Sequence, residues 1–259
     1  SSAASDVYKR QGITASETLV LFTALPYCTQ WSAWEWLYLG IALPAQTCEN
    51  RSIMSPSAQI PDINTVSGPI LIAGLGNPGA QYELTRHNVG YMALDELCER
   101  TSPTVTLSPN KRTNALVGRG TLNGTPVILM KSRTYMNDSG RAIAATAQFF
   151  SVPATNIIVL HDDLDLEENT LRLKRGGGEG GHNGLKSMTQ HLGTKDYLRV
   201  RIGIGRPPGR MNPADYVLKQ FSARECEDLG VTIQEAADAV ELLLQEGLAS
   251  TQNRVHSRH

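Results

Sequence analysis

Ile70-Leu-Ile-Ala-Gly74-Leu-Gly76-Asn77-Pro78-Gly79 is the stretch on which the fold turns. Its apolar run, ending in glycines, reads as a buried strand. The glycines spell G-x-G-x-x-G, and after a strand that pattern invites a dinucleotide-binding reading. Such a site needs a helix to open at the glycines, so that its first amides meet the pyrophosphate. Here Pro78 removes an amide inside the motif, and helical text begins only near Asn88. Nor does a second strand ending in Asp or Glu follow about twenty residues on; Asp95 and Glu96 fall mid-helix. The glycines are better read as a tight strand-to-loop turn that presents Asn77.

Outward from that turn, strands and helices alternate. Val89–Arg100 carries Val89, Met92, Ala93 and Leu97 at helical spacing. Ala115–Leu122 and Pro126–Lys131 flank Asn123-Gly124, a strong hairpin signal. Ser139–Phe150 is an alanine-rich helix, and Ile157–Leu160 is a second buried strand. Leu171–Lys174 alternates apolar and basic. Asn183–Leu192 reads as a helix closed by Gly193. In Leu198–Gly205, Val200, Ile202 and Ile204 share one face while Arg199 and Arg201 share the other. Asn212-Pro213 is a cap with proline at the first helical position. Ser222-Ala-Arg-Glu225 is a capping box, opening a helix or helix pair that runs to about Glu246. The pattern predicts an α/β domain with a mixed sheet.

The first 67 residues read differently and are expected to be a poorly structured extension, with the domain spanning 68–259. Trp31, Trp34 and Trp36 all lie there, and Leu37–Pro44 is too short an apolar run to cross a bilayer. The first methionine is Met54. Residues 1–53 are read as text foreign to a protein that starts at Met54, the alternative being an organelle-targeting extension. The chain has 259 residues and a net charge of −1, so no global field draws it to nucleic acid or membrane. Cys28, Cys48, Cys98 and Cys226 show no C-x-x-C spacing, which argues against a zinc site or a disulfide framework.

Four features carry chemistry. His87 is a candidate general base, which needs an acceptor on its other ring nitrogen. His161-Asp162-Asp163-Leu164-Asp165, after a buried strand, offers that acceptor, with a metal site as the rival reading. Asn137, in Thr134-Tyr135-Met136-Asn137-Asp138-Ser139-Gly140, is either a helix cap or one of a set of amides with Asn77, Asn88 and Asn183. Such amides suit an ester or peptide group and a developing oxyanion. Lastly, Gly176–Gly184 holds six glycines in nine residues and includes His182-Asn183. Between Arg172 and Arg210 there are nine basic residues against two acidic ones, which implies a polyanion at that rim.

Together these blocks resemble bacterial-type peptidyl-tRNA hydrolases. The matching text is Gly-Leu-Gly-Asn77-Pro-Gly-x-x-Tyr82-x-x-Thr-Arg-His87-Asn88-x-Gly90, then Lys131-Ser-Arg-Thr-Tyr135-Met136-Asn137-x-Ser-Gly140, His161-Asp162-Asp163-Leu-Asp165, the glycine loop through His182-Asn183-Gly184, and Arg201-Ile-Gly-Ile-Gly205. The resemblance covers about residues 69–255. It implies one α/β domain, with a mixed, twisted central sheet flanked by helices. It also implies hydrolysis of the ester between a peptide and the 3′ ribose of tRNA, with no metal, no cofactor and no covalent intermediate.

By that resemblance His87 activates water, Asp162 holds its imidazole, and Asn77 senses the acylated amino group. Tyr82, Tyr135, Asn137 and Asn183 match substrate contacts, with Met136 beside them, and Lys174 and Arg201 match positions that hold tRNA phosphates. Glu179 stands where the family often has histidine, and Asp163 where it commonly has glutamate. The expected partner is the acceptor stem and 3′ end of peptidyl-tRNA, bound by a monomer without a membrane. The expected compartment is the cytoplasm, or a mitochondrion or plastid if the N-terminal segment is a targeting signal. In this reading the glycine loop is a mobile gate whose working side chain is Asn183, with His182 in support. The rival classes are an RNA-binding relative without catalysis and a nucleotide-dependent oxidoreductase.

Overall fold

In the computed structural model, which describes residues 62–257, the apolar run forms β1 (Ile70–Gly74), buried at every position. Its residues alternate between two faces. Ile70 and Ile72 join one apolar cluster, while Leu71 and Ala73 join another. A strand needed by two cores must lie in the middle of a three-layer domain.

β1 pairs in parallel with β4 (Thr125–Ser132) on one side and β5 (Ile157–Asp163) on the other. β5 pairs in parallel with β7 (Leu198–Gly203). Antiparallel strands finish both edges: β3 (Ala115–Leu122) and β2 (Ser108–Asn110) beyond β4, and β6 (Leu171–Arg175) beyond β7. The order across the seven strands is β2-β3-β4-β1-β5-β7-β6. The expected mixed α/β domain is found, and Asn123-Gly124 makes the β3–β4 turn as read.

The helices are α1 (Val89–Arg100), α2 (Ser139–Phe149), α3 (Asn183–Leu192), α4 (Pro213–Val217) and α5 (Ala223–His256). α1 and α5 cover one face through Leu94, Leu97, Val240 and Leu243; α2 and α3 cover the other through Ile143, Ala147, Leu185 and Met188. The caps are those the text signals: Asn212 accepts from the Ala214 amide, and Ser222 and Glu225 close a capping box. Among the described residues, no helix is long and apolar enough to cross a membrane.

α5 departs from expectation. It does not stop near Glu246 but breaks at Gly247 (φ 79°, ψ 180°) and resumes to His256. The resumed helix takes its cap from far upstream: the Asp62 carboxylate accepts from the Leu248 amide at 2.9 and 3.0 Å. Asp62 also caps a 3-10 turn over Ile63–Thr65 whose Ile63 is buried, so the folded body takes in residues ahead of Gly68. The expectation of a start at Met54 lies outside the described residues. Beyond the break, Gln252 donates to the Leu173 carbonyl (2.8 Å) and His256 accepts from the Leu173 amide (3.0 Å), covering the outer side of β6.

Gly90 explains how closely α1 meets the sheet. A Cβ there would lie 2.3 Å from the Leu160 carbonyl oxygen and 2.7 Å from that of Leu75. Gly90→Ala must therefore move α1 off the strand ends. It should lower stability by roughly 1–3 kcal/mol, as overpacked sites do, read as a lower urea midpoint at unchanged slope.

Candidate active site

His87 sits in a 3-10 turn, Arg86–Asn88, that runs directly into α1. Asn88 sews this turn to the loop after β1: its Oδ1 accepts from the Asn77 amide (2.8 Å) and its Nδ2 donates to the Asn77 carbonyl (2.9 Å). One of the two readings of Asn137 groups Asn88 with it in a set of cleft amides. Asn88 is instead buried, with both ends of its side chain committed to backbone. The loop itself passes through a short 3-10 turn, Ala80–Tyr82, and no α-helix opens at its glycines. The dinucleotide geometry is therefore missing, as Pro78 suggested.

Asp162 ends the buried part of β5 and is 2% exposed. A carboxylate taken from water requires partners, and two imidazoles supply them. His87 Nδ1 lies 2.9 and 3.0 Å from its two oxygens, and His182 Nε2 lies 3.0 Å from Oδ1. The proton positions follow from what else the rings touch. His182 Nδ1 accepts from the Gly184 and Leu185 amides (3.1 and 3.4 Å), capping α3, so its proton resides on Nε2 and is donated to Asp162. His87 likewise donates from Nδ1 to the carboxylate. Its Nε2 keeps the lone pair. His161 Nδ1 donates to the Asp162 carbonyl (2.7 Å), while its buried Nε2 has no partner among the described residues.

The charges respond accordingly. Burial opposes ionisation of Asp162, yet His87 and His182 hold its carboxyl well below the usual range. Burial disfavours the His87 imidazolium, but Asp162 outweighs it and the His87 pKa is raised above 6.5. Burial and the neighbouring His182 lower that of His161.

A cleft of about 650 Å³ opens over this cluster, with His87, Asp162, His182, Asn183, Lys174 and Arg201 in its lining. Asn183 is exposed at the first position of α3. The other expected residues stand on the loops after β1 and β4. Asn77 is 7% exposed, and its Oδ1 accepts from the Met136 amide (2.8 Å). That bond fixes the side-chain amide with Nδ2 as the donor end. Met136 contributes this amide, while its side chain packs in the core. Tyr82 and Tyr135 meet edge to face with centroids 6.4 Å apart; Tyr135 and Asn137 are exposed.

The basic stripe is less uniform than its sequence. Arg199 is 1% exposed and donates to the carbonyls of Gly178 (2.7 Å) and Gly177 (3.0 Å). It fastens the start of the glycine loop to β7, so that end of the loop is pinned and does not fit a free gate. Lys195 pairs with Glu179 (3.1 Å), and Arg175 with Asp196 (3.4 Å). Arg201 Nε donates to Asp163 (2.7 Å); burial opposes the Asp163 carboxylate, but Arg201 holds its pKa down. Burial and the neighbouring Arg201 and Arg199 lower the pKa of Lys174, which marks a positive field at the cleft floor.

His87, Asp162 and His182 also place three ligand-type atoms within 4.8 Å of one another. The set does not fit a cation as arranged, because the His182 nitrogen facing Asp162 carries a proton. Sequence reading gave His182 only a supporting part. The signal that would have found its bonds is its place one residue before a helix, where a ring nitrogen can cap the amides.

A family model described as "Peptidyl-tRNA hydrolase" matches residues 71–259. The chain is similar to the peptidyl-tRNA hydrolase of Rhodococcus erythropolis, 59% identical over 186 residues, which are 72% of this chain and 97% of the relative. It is also similar to that of Nocardia farcinica, 56% identical over 190 residues, 73% of this chain and 97% of the relative. Among solved structures, the peptidyl-tRNA hydrolase of Acinetobacter baumannii matches with a TM-score of 0.67 at 35% identity, covering 72% of this chain and 93% of its own.

The opposed influences on His87 can be separated. With Asp162→Asn, burial remains and the carboxylate is gone, so the His87 pKa should fall from above 6.5 to below it. An NMR titration of the ring checks this, and a value that stays raised would remove Asp162 as the cause.

Proposed function

We propose that this chain, which belongs to the peptidyl-tRNA hydrolase family, hydrolyses the ester between the peptide and the 3′ ribose of peptidyl-tRNA using water activated by His87. The observation that carries this reading is the His87–Asp162 contact beside the cleft. Asp162 holds the ring with Nδ1 protonated, leaving Nε2 as the base. As water attacks the ester carbonyl, Nε2 takes its proton, and the Asp162 carboxylate stabilises the imidazolium that forms. Collapse of the tetrahedral intermediate breaks the carbon–oxygen bond. The ribose 3′ oxygen leaves with the proton that His87 returns. No serine is needed, and no covalent intermediate forms. Asn183 and Asn137 are the neutral donors suited to the oxyanion.

Asn77 gives a physical basis for sparing unblocked aminoacyl-tRNA. Its Nδ2 donor suits the carbonyl of an acylated amino group. A free ammonium carries only donors and finds no acceptor there. Tyr82 and Tyr135 form an aromatic ledge for the peptide, and Lys174 and Arg201 take the tRNA phosphates, so binding weakens with salt. The working unit is the domain from about residue 62 onward, with Asp62 and Ile63 included, acting as a cytoplasmic monomer.

His87→Ala should slow release of N-acetyl-aminoacyl groups from tRNA by at least about a hundredfold. An unchanged rate would exclude His87 as the base, and tRNA binding without turnover by the native chain would favour an inert RNA-binding relative. Since only neutral His87 accepts the proton, kcat/KM should fall as pH drops through a pKa above 6.5. Asn77→Ala should narrow the rate ratio between N-blocked and unblocked aminoacyl-tRNA; a native ratio would remove that role.

A further inference from the structure

We infer that Arg86 is a positioning residue that fastens one wall of the cleft to the turn bearing His87. The inference rests on the function proposed above. Arg86 is 4% exposed, and its contacts all run one way. Its guanidinium carbon lies over the rings of Tyr216 and Phe221, 4.7 and 4.8 Å from the centroids. Nη1 donates to the carbonyls of Gln220 (2.9 Å) and Lys219 (3.2 Å), and Nη2 pairs with Glu225. Glu225 also accepts from the Ser222 amide (2.6 Å), completing the capping box of α5. The backbone adds two bonds of the same sense: Arg86 N–H to the Lys219 carbonyl (3.2 Å) and Phe221 N–H to that of Leu84 (3.0 Å).

Every one of these partners lies between α4 and the first turn of α5. The start of that stretch, with Asn212, Pro213, Ala214 and Val217, lines the cleft together with His87. Arg86 precedes His87 directly. The wall and the base are therefore held by one side chain, and any shift of the wall pulls on the turn that aims the imidazole. A forked guanidinium can lie over two rings while its Nη atoms reach a carboxylate and two carbonyls at once; lysine has the charge without the geometry.

The test compares Arg86→Lys, Glu225→Gln and their combination in the full chain. Arg100→Met serves as a control that breaks the Glu96 contact within α1 and the Asp238 and Glu241 contacts between α1 and α5, away from the cleft. Arg86→Lys should lower kcat about tenfold or more while KM and affinity for deacylated tRNA stay within about twofold, since misplacement by an ångström is enough. Glu225→Gln should act in the same sense, and the double variant should fall short of the product of the two. Trypsin should cut after Lys219 faster in both than in the native protein. Arg100→Met should lower the melting temperature without that loss of kcat. The inference is overturned if Arg86→Lys keeps native kcat, or if Arg100→Met loses as much. Should the native chain not hydrolyse peptidyl-tRNA, the proposed function fails instead, and proteolysis still decides the clamp: unchanged cleavage after Lys219 overturns it.

Discussion

The site depends on one buried negative charge. A carboxylate in Asp162's position is tolerable only because its surroundings are built to donate to it. His87 and His182 approach from opposite elements, one from the turn before α1 and one from the cap of α3. Each ring is in turn oriented by what it must do elsewhere. His182 is held by the two amides it caps. The turn of His87 is held by Asn88 on Asn77, and Asn77 by the Met136 amide. A single charge thus orders three separate loops, and the base inherits its tautomer from that arrangement.

Much of this was legible in the text because the signals were local. β1 needed only four apolar residues before glycine, and the β3–β4 hairpin needed only Asn123-Gly124. α3 and the start of α5 were marked by their own caps. His87 and Asp162 came from their residue types and their places beside a turn and a strand end. What the text hid was long-range. The Gly247 break looks like a helix end until Asp62 arrives, 186 residues away in sequence, to cap the far side. Arg199 reads as one more cation in a basic stripe, yet it is buried as a brace for the glycine loop. Asn88 looks like its neighbouring site amides, yet both ends of its side chain are taken by backbone. Met136 reads as a substrate contact by position, whereas its side chain fills the core and only its amide reaches the site.

The same distinction separates the two sides of the cleft. The floor, β5 and β7, is rigid sheet, and its charges are largely paired: Asp163 with Arg201, Asp162 with its imidazoles. The far wall hangs on α4 and the start of α5, short elements without a strand of their own. The base thus stands between a sheet-borne carboxylate and a wall held by side chains.

The broken α5 has a consequence at the sheet's open edge. β6 is a terminal strand, and an uncovered strand of this kind is a template on which another chain can pair. The opposite edge, β2, is protected by being three residues long and containing Pro109. β6 has neither defence. Its exposed hydrogen-bonding groups at Leu173 are taken instead by Gln252 and His256, which reach it only because the helix changes direction at Gly247 and is capped anew by Asp62. One carboxylate ahead of the first strand thereby caps the segment that covers the last strand in the sheet.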